Sequence, residues 1–224
     1  MVRNWDAKKQ LVLALAMSSL VGVILFSYCA IIDHSVYFSY LLTNLLLAWI
    51  PLIVSIRLVY VLRYKRWSSW EAMGWSFLWL VFLPNSFYMI SDFIHLQSAP
   101  TDNITYYAVT FTSFIYTATV IGFLSLYLIH SELKKRFNTR ATAVSVAAIL
   151  AICSEAIYIG RDLRWDSWAV LTNPGGLIFD ISDRLIHISD YPSFIGVGAI
   201  FFILLGSMYF LAWSGIKAIK RERI

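Results

Sequence analysis

Apolar runs long enough to cross a bilayer lie at about residues 11 to 32, 41 to 62, 73 to 91, 106 to 129, 141 to 160 and 193 to 214. Each is near the roughly 20 residues that a hydrocarbon core about 30 Å thick demands of a helix. Lipid offers no partner to a backbone N–H or C=O, so a spanning segment must satisfy its own, which leaves helices and closed barrels. Runs of this length select helices. The predicted fold is all-α: a polytopic membrane bundle of six transmembrane helices forming one domain over residues 1–224. A hydrophobic content of 59%, with only 14% charged residues, excludes an ordinary soluble domain.

The charges that remain are ordered. Arg3, Lys8 and Lys9 precede the first run, and Arg63, Lys65 and Arg66 follow the second. Lys134, Lys135, Arg136 and Arg140 follow the fourth, and Lys217, Lys220, Arg221 and Arg223 follow the sixth. Every second connection is basic, so the positive-inside rule puts both termini in the cytoplasm and the aspartate-rich connections outside. The net charge of +5 is thereby assigned to orientation, the lipid bilayer is the implied partner, and nucleic acid is not. The run from Leu11 to Ile32 is too long for a signal-peptide core and reads as a retained span. Tyr28 before Cys29 argues against lipoprotein cleavage, and Cys29 and Cys153, both in apolar runs, define neither a disulfide framework nor a zinc site.

Local signals agree with these boundaries. Ser68-Ser69-Trp70-Glu71 fits a capping box at the start of the third span. Trp67, Trp70 and Trp213 fall at the inner interface, and Tyr106, Tyr107, Trp165 and Trp168 at the outer one. Arg57 lies about 9 Å from the basic end of span two and can snorkel to it, the alternative being a buried ion-pathway role. In the long connection from about 161 to 192, Asn173-Pro174 can start a helix. Beyond it Leu177, Ile181, Leu185 and Ile188 recur at helical spacing opposite Asp180, Asp183, Arg184, His187 and Asp190. This predicts a short amphipathic helix on the outer surface, either a lid or an interfacial strap.

The third span turns polar before it ends. In FLPNSFYMISDFIHL, residues 82 to 96, Asn85, Tyr88, Asp92 and His95 share an arc of about 80° at 100° per residue. Such a stripe must face protein or water. Span five offers a complement: Glu155, Tyr158, Asp162 and Asp166 share a similar arc, and Glu155 matches Asn85 in depth. An ionisable group there is costly unless paired, protonated or hydrated, which makes Glu155 either a functional group or protonated packing glue. Asp92, His95, Glu155 and Asp166 have the oxygen and imidazole donors of a divalent-metal site. Arg161 and Arg164 suit a phosphate or carboxylate, or alternatively neutralise Asp162 and Asp166. No P-loop, nucleophile elbow or zinc helix is present.

FLPNSFYMISDFIHL and EAIYIGRDLRWDSWAVLTNP together resemble the paired motifs of an uncharacterised bacterial membrane-protein family, domain of unknown function 1361. Where that family has a second proline after Pro-Asn-x, this chain has Phe87, and where it has an aspartate after Ser-Trp, this chain has Ala169. The resemblance implies a bacterial plasma-membrane protein whose signature residues map onto Asn85, Tyr88, Asp92, His95, Glu155, Gly160, Arg161, Arg164 and Trp165. It supplies no reaction. Three readings follow. In the first, a pocket open to the extracytoplasmic face binds or processes an anionic envelope lipid or precursor. Asn85, Tyr88, Tyr158, Arg161 and Arg164 bind it, while Asp92, His95 and Glu155 act as acid/base or metal-binding groups. In the second, Glu155 and Asp92 carry protons for a small-solute transporter, although spans three and five show no polar path continuing inward. In the third, the cluster is structural and the chain is an accessory or scaffold protein.

Overall fold

The computed structural model describes residues 2–163, 165, 169–187 and 189–221. Arg164, Asp166, Trp168, Ile188 and Arg223, named above, lie outside them. Among the described residues eight α-helices follow one another: α1 Val2–Ile32, α2 Tyr40–Val61, α3 Trp70–Tyr88, α4 Ile104–Leu133, α5 Thr139–Asp162, α6 Ala169–Thr172, α7 Pro174–Ile186 and α8 Pro192–Arg221. Among the described residues six helical segments are long and apolar enough to cross a membrane, and they overlap the six runs read from the sequence.

α4 is the axis of the bundle. The most apolar window of its span is 61% buried, against 17% for α1 and 22% for α8. The two outer helices therefore leave most of their apolar surface for lipid, as Leu13, Ile203, Phe210 and Leu211 illustrate. α1 lies on α4 through Ser18, whose Oγ is 2.6 Å from Thr117 Oγ1. α8 lies chiefly on α5. One apolar core joins α1, α2 and α4 around Leu41, Phe111 and Phe114; a second joins α2 to α5 and α8 around Leu58, Phe87, Leu126 and Ile157.

The helices at the centre approach closely because their contacts are small and polar. Pro51 lacks an N–H and disturbs the hydrogen-bond ladder of α2, and the carbonyls around it find side-chain donors. Ser86 Oγ donates to the Ala48 carbonyl at 3.0 Å, and Ser125 Oγ to the Pro51 carbonyl at 2.9 Å. Ser125 Oγ in turn accepts from Trp79 Nε1 at 2.7 Å, so α2, α3 and α4 are tied at one level. Gly122 completes the fit, since a Cβ there would lie 2.7 Å from Ser86 Cβ and 2.8 Å from Phe87 Cε1.

Hydrogen bonds between connections identify the two ends. Arg136 Nη2 donates to the Leu62 carbonyl at 2.9 Å, which places the basic connections after α2 and after α4 together. Asn103 Nδ2 donates to Asp33 Oδ1 at 2.6 Å, which joins the connections after α1 and before α4 at the other end. Arg57 reaches the basic end, where Glu71 pairs with it at 3.6 Å and with Lys65 at 2.5 Å. That pairing corrects the capping box. The N-cap is Ser69, whose side chain accepts from Ala72 N, so Glu71 stands one position too early to close the box and serves the cations instead.

The third span also differs from one continuous α-helix. α3 stops at Tyr88, and Met89–Ser98 winds as a 3-10 helix. A 3-10 run of this length is unusual, since its hydrogen bonds are strained and most such pieces last three or four residues.

Candidate functional site

The change of winding rearranges the polar stripe. At three residues per turn, Met89, Asp92 and His95 stack one over another about 6 Å apart, where α-helical winding would have fanned them. Met89 and Asp92 are both buried, Asp92 with 1% of its surface exposed. A carboxylate so placed needs partners. Asn44 of α2 supplies one, its Nδ2 donating to Asp92 Oδ2 at 3.0 Å. Arg161, in the last turn of α5, supplies the other, with Nη1 3.7 Å from Asp92 Oδ1.

Arg161 is the hub. Its Nη1 donates to Ser91 Oγ at 3.2 Å, and Ser91 passes its own proton to the Tyr88 carbonyl at 2.7 Å. Its Nη2 lies 3.4 Å from His95 Nε2. A guanidinium only donates, so His95 must offer the lone pair of Nε2 and carry its proton on Nδ1. Tyr40 packs edge-on to the His95 ring with centroids 5.5 Å apart. Arg161 reaches this cluster because Gly160 beside it has no side chain: a Cβ there would stand 3.1 Å from the Tyr88 ring. The guanidinium end is left facing a cavity, with the side chain about 20% exposed.

That cavity has a volume of about 680 Å³. Asn44, Asn85, Tyr88, His95, Arg161 and Trp165 give it polar edges, and Leu47, Val81 and Pro84 an apolar wall. Leu177 and Ile181 of α7 close it on one side. α7 begins where Asn173-Pro174 suggests, with Asn173 Oδ1 accepting from Gly176 N at 3.1 Å. It is held down by Trp165, whose Nε1 donates to Asp180 Oδ2 at 2.8 Å. Gly176 permits that contact, since a Cβ would be 3.0 Å from the Trp165 ring. Leu185, expected on the same face as Leu177 and Ile181, is exposed. Arg184 turns aside to the Asp180 carbonyl and the Tyr191 ring.

Two expected members are not brought to the cluster. Glu155 lies against α8, where a Cβ on Gly198 would overlap its carboxylate, and Tyr158 packs edge-on to Phe194 at 5.3 Å. The reason is rotational. Glu155 and Tyr158 stand about 120° and 60° from Arg161 around α5, and the face turned to α3 is the one carrying Gly160 and Arg161. Glu155 Oε2 is buried with no hydrogen-bond partner among the described residues. Among the described residues no hydrogen bond or ion pair joins Glu155 to Asp92 or His95. Among the described residues no three His, Cys, Asp or Glu side chains come together to hold a metal ion, and a guanidinium stands between Asp92 and His95. Arg164 and Asp166 lie outside the described residues. Conversely, Tyr40, Asn44 and Ser91 join the site without having been singled out. Asn44, an amide alone among the leucines of YLLTNLLLAW, was the legible signal.

A family model described as "Protein of unknown function (DUF1361)" matches residues 43–206. The chain belongs to the DUF1361 family. The DUF1361 region runs from α2 into α8 and takes in Asn44, Tyr88, Ser91, Asp92, His95, Arg161 and Trp165, leaving Tyr40 just outside it. No curated protein and no solved structure matches the chain.

Proposed function

We propose that this DUF1361 protein resides in a bacterial plasma membrane with both termini cytoplasmic, and that its cavity opens to the extracytoplasmic face. There it binds the anionic head group of an envelope lipid or lipid precursor. The segregation of Arg57, Lys65, Lys134 and Arg136 at the end away from the cavity supports this orientation. The observation that carries the ligand class is Arg161, a guanidinium held by Ser91, Asp92 and His95 at the edge of a cavity with both polar and apolar walls. A phosphate or carboxylate accepts from its free face, Tyr88 and Trp165 pack against the ligand's body, and Leu47, Val81 and Pro84 receive apolar chain.

Asp92 and His95 keep Arg161 oriented, and both are engaged in doing so, which favours binding over acid/base chemistry. Titration calorimetry of the purified protein with short-chain phosphatidic acid tests the reading. Saturable binding is expected, weakened about tenfold or more by Arg161→Gln, the loss of one charge-assisted contact. Equal affinity in the two proteins refutes it.

A further inference from the structure

At the opposite end of the bundle a second groove, of about 370 Å³, runs between α4, α5 and α8. Its chemistry changes along its length. Lys134, Thr139 and Lys217 stand at the basic end; deeper in, Val146, Leu150, Phe202 and Phe210 leave only apolar surface. Along α5 from Thr139 to Leu150 and along α8 from Lys217 to Phe202 the lining extends about 17 and 22 Å at 1.5 Å per residue. That is about one leaflet of a bilayer roughly 40–45 Å thick with its head-group regions. Ala143, Ala147 and Gly206 keep the walls apart.

The mouth is built, not incidental. His130 is buried, its Nδ1 2.8 Å from the Tyr209 hydroxyl, and its ring is stacked on Trp213 at 3.8 Å. Lys134 lies over the Trp213 ring, its Nζ 5.1 Å from the ring centroid. The nearby carboxylate of Glu132 is occupied by Lys135 at 2.5 Å, so it does not neutralise Lys134. An interfacial tryptophan flanked by two lysines above an apolar channel one leaflet deep complements a lipid whose head is anionic.

We propose that this groove is a binding site for one anionic phospholipid of the leaflet at the basic end, with its phosphate between Lys134 and Lys217 and an acyl chain along α5 and α8. The site is separate from the cavity at Arg161 and does not depend on that reading. The test uses the full chain carrying Arg161→Gln, so that the other cavity is disabled. It is purified in detergent with equimolar phosphatidylglycerol and phosphatidylcholine and weighed by native mass spectrometry. One phosphatidylglycerol per chain is expected. Adding Lys134→Gln and Lys217→Gln, both exposed, should lower its retention about thirtyfold, the combined effect of two surface lysines. Gly206→Leu, which fills the channel with both lysines intact, should expel it as well. Retention unchanged by the lysine pair, equal retention of phosphatidylcholine, or displacement by inorganic phosphate at constant ionic strength overturns the proposal.

Discussion

Removing the partner of Arg161 gives the sharpest test of how the site is held. Nη1 stands 3.7 Å from Asp92 Oδ1, and at an effective dielectric constant of 20 a pair of charges so separated attracts by about 4 kcal/mol. The exposure of Arg161 is small enough that water screens only part of this, so Asp92→Asn and Arg161→Gln should each destabilise the fold by about 2–4 kcal/mol. The second substitution, made in the background of the first, should cost much less, because the charge it removes has already lost its counterion. A double-mutant cycle in mixed micelles, unfolded by rising dodecyl sulfate, reads the coupling. A coupling energy of at least about 1 kcal/mol is expected. Additivity within about 0.5 kcal/mol would show that the two charges do not sense each other, and Asp92 would then be no support for Arg161.

Gly122→Ala should destabilise by about 1–3 kcal/mol in the same assay, since its Cβ would meet Ser86 and Phe87, both fully buried, and neither can retreat. Ser125→Ala removes the acceptor of Trp79 Nε1 and the donor to the Pro51 carbonyl, leaving two buried groups unsatisfied at a cost of about 1–3 kcal/mol. Trp165→Phe releases Asp180 and should speed hydrogen exchange of α7 without changing that of α4, which a deuterium-labelling time course resolves.

Length and charge made the bundle legible before any coordinates. The spans had to be helical, and alternating basic connections agree with the joining of Arg136 to Leu62 at one end. The site was half legible. Periodicity fixes which side chains share a face of their own helix, but not which neighbour that face meets. Asn85, Tyr88 and His95 therefore fell on one cavity as expected, while Glu155 turned to α8 because Gly198 makes room there and Gly160 makes room for Tyr88 elsewhere. The 3-10 winding of Met89–Ser98 left no signature in the spacing, because residues three apart share a face in either helix type. What it changes is alignment, stacking His95 over Asp92 so that one guanidinium serves both.

The central claim is that an anionic head group enters a cavity from outside the cell. Cys29 and Cys153 are both buried, so a single cysteine introduced at Val170, on the cavity wall, reports alone. In intact cells a membrane-impermeant maleimide should label Val170→Cys, and short-chain phosphatidic acid should protect it, with protection lost when Arg161→Gln is added. Labelling only after permeabilisation would reverse the orientation, and labelling that phosphatidic acid leaves unchanged would contradict the binding site itself.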